Sequence, residues 1–286
     1  MSLCYANPWC RHTSLVQWTT GTVASGGERI YYEVTEPDGA VRSTVVLGHG
    51  AGGSHAAWFQ QVPALAAAGH RVVTWDTRGF GNSTFDSGVL TTDVSVGDLA
   101  AVLDAAGVRS AHVIGQSMGG WWAAGFALAH PDRTASLVLA NTEGGVWTDA
   151  LTAHFRTLAA PVSGAGSAAI ALGAHTALGP QLGERDLALA FLYQQLNTFH
   201  TPPMAAVLGG ITGSRHDADA MAALPFPKLW ITSTHDQLFP ADLIKDAAAR
   251  AGARCEVIAD AGHSPYFERA AAWNDVVLDF IAADHG

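Results

Sequence analysis

Gly115-Gln116-Ser117-Met118-Gly119 places a serine between two glycines in a G-x-S-x-G pattern. A serine hydroxyl is a poor nucleophile at neutral pH and reacts only where a base removes its proton, most often a histidine with an ordinary pKa near ~6.5. Context separates such a site from an ordinary glycine-rich turn. Here SAHVI before the motif reads as a strand and MGGWWAAGFALAH after it as a helix, which is the strand-turn-helix setting of a nucleophile elbow. In that strained turn, side chains at 115 or 119 would strike neighbouring backbone. The Met118 N–H opens the helix, where the dipole and unpaired donors can stabilise a developing oxyanion.

The base must be chosen from 13 histidines. His263 follows the last predicted strand, in ADAGHSPYFE, and suits the chain order nucleophile, acid, base. His285 is penultimate and sits where chains fray. The carboxylate that orients the histidine should lie beyond an earlier strand. Asp236 closes KLWITSTHD, although an Asp there also suits a helix N-cap. Glu143, after LVLANT, is the alternative, and Asp260 is too close to His263 along the chain to reach round its ring. Asp236 is preferred because its strand leads directly to the strand that carries the histidine.

A second oxyanion donor is expected from His49-Gly50-Ala51-Gly52-Gly53, with the Ala51 N–H foremost. The same stretch, read from Gly48, satisfies G-x-G-x-x-G, and Asp76 ends the next strand as a ribose-binding carboxylate would. A dinucleotide-dependent oxidoreductase is therefore the rival, but it leaves the elbow and the late histidine idle.

The elements that must hold these residues follow from periodicity. LVQWTTGTV and RIYYEV read as an antiparallel pair around Gly26 and Gly27. Six further strands, STVVLGHG, HRVVTWD, SAHVIGQ, TASLVLAN, PKLWITSTHD and CEVIADAGH, alternate with helices near 56–68, 94–106, 118–130, 241–251 and 265–283. The alternation stops between Thr142 and Leu224, which predicts an insertion above the sheet. The expected division is a core of 1–142 with 222–286 and a cap of 143–221.

Hydrophobic residues make up 49% of the 286 and charged ones 14%, as an alanine-rich fold with buried strands requires. No apolar run approaches the ~18 residues of a membrane span. A net charge of −10 excludes phosphate backbones as natural partners. Cys4, Cys10 and Cys255 are odd in number and scattered, favouring a reducing compartment, and with no signal-peptide pattern at the start the cytoplasm is expected. Neither metal nor organic cofactor is called for.

HGAGGS, DTRGFGNS, GQSMGG, LVLANT, the Asp of STHDQLFP and the His of AGHSPYFE, in that order, resemble the α/β-hydrolase superfamily from Gly21 onward. The resemblance implies an α/β fold with an eight-stranded, mostly parallel sheet, helices on both faces and a helical cap after the sixth strand. It implies a Ser117-Asp236-His263 triad and makes Asp76 and Arg78 parts of a structural turn. DTRGFGNS with LVLANT is similar to 3-oxoadipate enol-lactonases, small esterases and perhydrolases. GQSMGG also resembles carbon–carbon hydrolases of ring-cleavage products, which usually carry Trp after the histidine where this chain has Ser264. An acyl-serine hydrolase of a carboxylic ester or lactone is the leading expectation. A cofactor-free lyase or oxygenase and a ligand receptor that retains the triad are the other classes. Substrate contacts are expected among Trp58, Trp147, Phe155, Phe191, Tyr193 and Met204, with His154, Phe199 and His200 nearby, and the aromatic content favours a mainly apolar small molecule. The lack of an Arg or Lys cluster in the insertion speaks against a dicarboxylate, though Arg156, Arg185 or Arg215 could hold one carboxyl group.

Overall fold

The computed structural model describes residues 16–158, 175–199 and 202–283. β1 (Trp18–Ser25) and β2 (Glu28–Thr35) pair antiparallel across Gly26 and Gly27. Both glycines have positive φ, 53° and 85°, which side chains resist in so tight a turn. Short apolar strands then alternate with helices: β3 (Thr44–Gly48), α1 (Gln61–Ala67), β4 (Arg71–Trp75), α2 (Thr92–Ala105), β5 (Ala111–Gln116), α3 (Met118–Ala129) and β6 (Thr134–Ala140). Helices alone follow among the described residues: α4 (Asp149–Leu158), α5 (Leu182–Arg185), α6 (Leu187–Leu196), α7 (Met204–Thr212) and α8 (Ala218–Ala222). The alternation resumes with β7 (Lys228–Ser233), α9 (Ala241–Arg250), β8 (Arg254–Ile258), α10 (Pro265–Glu268) and α11 (Ala270–Ala283).

One eight-stranded sheet results, in the order β1-β2-β4-β3-β5-β6-β7-β8, antiparallel at β1, β2 and β4 and parallel from β4 to β8. Its two faces follow from the strand period of two. Val46, Val113, Leu137, Leu139 and Trp230 point into a core shared with α2, α3 and α9. Val45, Leu47, Ile114, Val138, Leu229 and Ile231 point into a second core shared with α1 and α11. Burial on both faces explains why these strands read as unbroken apolar runs.

Two expected helices are interrupted. Ser54 caps a 3-10 turn over His55–Trp58, so the helix expected from 56 starts only at Gln61. The helix expected over 265–283 breaks at Arg269 (φ −134°), where the Glu268 side chain instead accepts from the Gly262 and Gly179 N–H groups at 2.9 Å each.

The turn after β4 carries the most buried ion pair described. Arg78 donates from Nε and Nη2 to the two oxygens of Asp98 on α2, both at 2.7 Å, with side chains 2% and 0% exposed. Removing one partner strands a buried charge, whereas the half-exposed Arg71–Glu36 pair has water as an alternative. Asp98→Asn is expected to cost about 3 kcal/mol of unfolding free energy in urea, against less than about 1 kcal/mol for Glu36→Gln. Equal losses would refute this ranking.

Candidate active site

The C-terminal ends of β5, β6, β7 and β8 converge on one edge of the sheet, the edge where open α/β sheets bind ligands. Ser117 follows β5 directly and has φ 52° and ψ −120°, outside any region a serine adopts at ease. Its N–H donates to the Ala140 carbonyl of β6 and its carbonyl accepts from Gly120 N, both at 2.9 Å. The flanking glycines are required by close approach: a Cβ on Gly115 would collide with the Gly119 carbonyl, and one on Gly119 with the Gly48 carbonyl.

Asp236 lies three residues past β7 and is 6% exposed. Its Oδ1 accepts from Leu238 N and Phe239 N, and its Oδ2 from Asn141 Nδ2 and His263 Nδ1, all at 2.9 Å. Burial opposes its charge, but His263 and these donors outweigh it and hold the carboxyl below the ordinary range. An ionised carboxylate accepts only, so the Nδ1 of His263 bears a proton, and in the neutral ring this tautomer leaves the lone pair on Nε2. Asp236 does not cap the next helix, which starts at Ala241 behind Pro240.

The histidine is fixed from three sides. Its ring stacks on Phe239 (centroids 5.3 Å apart, planes at 15°), its Nδ1 meets Asp236, and its carbonyl accepts from Gln116 Nε2 at 3.0 Å. Below it, Ser233 Oγ donates to the Gly262 carbonyl and accepts from Asn141 Nδ2. On the opposite side, buried His49 accepts the Thr77 N–H at Nε2 (3.0 Å) and donates from Nδ1 to the Gly50 carbonyl (2.8 Å), bracing the loop that carries Ala51. Burial holds its pKa below the ordinary value, so the bracing imidazole is neutral.

Ser117, His263 and Ala51 line one cavity of about 540 Å³, together with Trp147, Phe155 and Tyr193. Met118 opens α3, so its N–H lies at that helix's N-terminus. Two expected contacts lie elsewhere. Trp58 is fully buried in the α11-side core, packed on Tyr266 and Trp273, because the 3-10 turn directs it beneath the sheet edge. Phe191 stands on the outer face of α6, 46% exposed. His200 and the Met204 side chain lie outside the described residues, as do Cys4, Cys10 and His285. Asn141, Gln116, Phe239 and the cavity-lining His175 were not singled out from sequence. Asn141, ending the run LVLAN at φ 50°, was the most detectable of them.

Asp76 is spent in joining two turns, its oxygens accepting from His55 N and His55 Nδ1 after β3 and from Asn82 N in its own turn. No free carboxylate remains there for a ribose.

Glu143 does not reach His263. It is fully buried, and burial pushes its pKa up to about 8 against the opposing pull of its own backbone N–H, the Trp121 indole and the field of Arg215. The native state therefore holds this proton between the ordinary 4.5 and about 8 while the unfolded chain releases it. Stability falls as pH rises through that window, by up to about 1.4 kcal/mol per pH unit. Glu143→Gln is expected to flatten this part of the stability profile in urea titrations from pH 5 to 8.5. Parallel profiles for the two proteins would exclude a protonated Glu143.

Residues 43–270 match the family described as alpha/beta hydrolase fold. A protein of Variovorax paradoxus, provisionally named carbamate hydrolase RutD, is 32% identical over 88% of this chain and 96% of its own length. A 2-hydroxy-6-oxononadienedioate/2-hydroxy-6-oxononatrienedioate hydrolase of Paraburkholderia phymatum is 40% identical over 45% of this chain, and the match spans 46% of that relative. Among solved structures, a thermophilic esterase from Thermogutta terrifontis superposes with a TM-score of 0.76 at 25% identity, covering 94% of this chain and all of the esterase. The chain belongs to the α/β-hydrolase family.

Proposed function

We propose that the protein is a serine hydrolase that cleaves a carboxylic ester or lactone through an acyl-serine. The observation that carries this reading is the buried hydrogen bond between Asp236 and His263 beside the cavity that also contains the strained Ser117. His263 Nε2 takes the Ser117 proton as the hydroxyl oxygen attacks the carbonyl carbon. The carbonyl π pair moves onto oxygen, where the N–H groups of Ala51 and Met118 receive it. Collapse expels the alkoxide, which takes the proton from His263. Water, deprotonated by the same imidazole, then attacks the acyl carbon, and collapse of this second intermediate breaks the bond to Ser117 Oγ, which regains the proton from His263 as the acid leaves. Asp236 holds the tautomer and stabilises the imidazolium.

Residues 143–221 act in this reading as the cap that selects the substrate, and the scattered cysteines favour the cytoplasm as its place of action. Carbon–carbon cleavage of a ring-cleavage product is the second reading, supported by the match to the Paraburkholderia phymatum enzyme. Ser264, bonded to the Tyr193 hydroxyl at 2.8 Å, stands where those hydrolases usually carry Trp.

A fluorophosphonate probe is expected to label the protein once, at Ser117, and kcat/KM for p-nitrophenyl butyrate to fall by about 10⁴ in Ser117→Ala, His263→Ala and Asp236→Asn. Glu143→Gln should stay within a few-fold of the parent. An intact rate in Ser117→Ala or His263→Ala, or labelling that survives Ser117→Ala, overturns the assignment.

A further inference from the structure

The charged lining of the cavity is one-sided. Arg156 on α4 and Arg215 between α7 and α8 line it, and no Asp or Glu does, although the chain holds 25 acidic residues to 15 basic ones. Among the described residues neither guanidinium has a carboxylate within ion-pair distance. A protein of net charge −10 thus sets two solvent-exposed cations, without an ion-pair partner among the described residues, along an otherwise largely apolar pocket.

Arg215 is also placed. Its guanidinium lies 5.2 Å from the centroid of Trp147, whose indole N–H donates to the Ser214 carbonyl at 2.9 Å. From Trp147 the wall runs through Phe155 (5.1 Å) and Phe239 (5.0 Å) to His263 (5.3 Å), a continuous series of ring contacts between the cation and the base. Glu143, the buried acid whose field reaches Arg215, holds its proton below about pH 8 and does not neutralise it. His175, depressed by burial and by His263, adds no competing cation.

We propose that the substrates carry a carboxylate at the end of an apolar body remote from the scissile bond, received by Arg215 together with Arg156. The inference rests on the reading above only in taking Ser117 and His263 as the scissile end. A guanidinium facing an apolar pocket gives a carboxylate charge-assisted, paired hydrogen bonds that a neutral ester end cannot match.

The test is equilibrium binding to Ser117→Ala, by calorimetry at low salt, of the monobenzyl esters of adipic, suberic and sebacic acids, each against its terminal carboxamide. At least one carboxylate should bind about tenfold more tightly than its amide, a preference that shrinks in high salt. Adding Arg156→Gln and Arg215→Gln should reduce it to about twofold or less while leaving amide binding unchanged. Equal binding of acid and amide throughout the series overturns the proposal, as does a preference that survives both substitutions. Fluorophosphonate labelling of the parent keeps the two readings apart. Labelling without a carboxylate preference removes only the anion site, and a preference without labelling removes only the nucleophile.

Discussion

Three pieces of backbone meet at the elbow without side chains between them. Gly119 at the start of α3 lies against the Gly48 carbonyl at the end of β3, and Gly115 of β5 lies against Gly119. That approach brings the serine turn next to the loop carrying Ala51, and a single methyl group at 115 or 119 would separate them. The strain at Ser117 is tolerable because the turn is held on both sides, by Ala140 through its N–H and by Gly120 through its carbonyl. Loss of that contact would release both the exposed hydroxyl and its nearest backbone donors.

The two buried acids near the site show how partners, rather than burial, decide charge. Asp236 and Glu143 are both largely desolvated, yet Asp236 accepts four hydrogen bonds, one of them from His263, and stays ionised, whereas the pull of Trp121, its own N–H and Arg215 does not offset burial at Glu143, which is pushed to about 8. Only the first can orient an imidazole in the tautomer that leaves Nε2 unprotonated. Chain geometry produces the difference. The Leu238 and Phe239 N–H groups turn back onto Asp236, while Asn141 reaches across from β6 to bind it. Glu143, two residues beyond Asn141, is fully buried near Trp121 and within the field of Arg215 instead.

Much of this arrangement was legible in the residues because local rules and chemistry agree there. Glycines at 115 and 119, a strand before and a helix after, and an acid and a histidine past successive later strands each point to one edge of one sheet. The interruptions of expected helices were less legible, since their causes are distant in sequence. Nothing near Arg269 announces that Glu268 must turn to hold Gly262 and the distant Gly179. Asn141 was overlooked for a similar reason, as its partner Asp236 lies 95 residues away.

Aromatic residues are where inference from residue type alone fails, because such a side chain packs a core, faces water or lines a pocket with equal ease. Trp58, Phe191 and Phe155 are alike in sequence, and they end respectively in the sheet core, on the outer face of α6 and in the cavity wall. What separates them is which helical face shares its direction with polar groups. Thr152, Phe155 and Arg156 sit at i, i+3 and i+4 on α4 and all line the cavity, with Phe155 half-buried and Arg156 exposed. The same helical stripe thus gives the cavity both apolar wall and a solvent-facing charge. Through Phe155 and Phe239 that wall continues to His263, so the helix that packs the aromatic lining also fixes where a cation can stand along it.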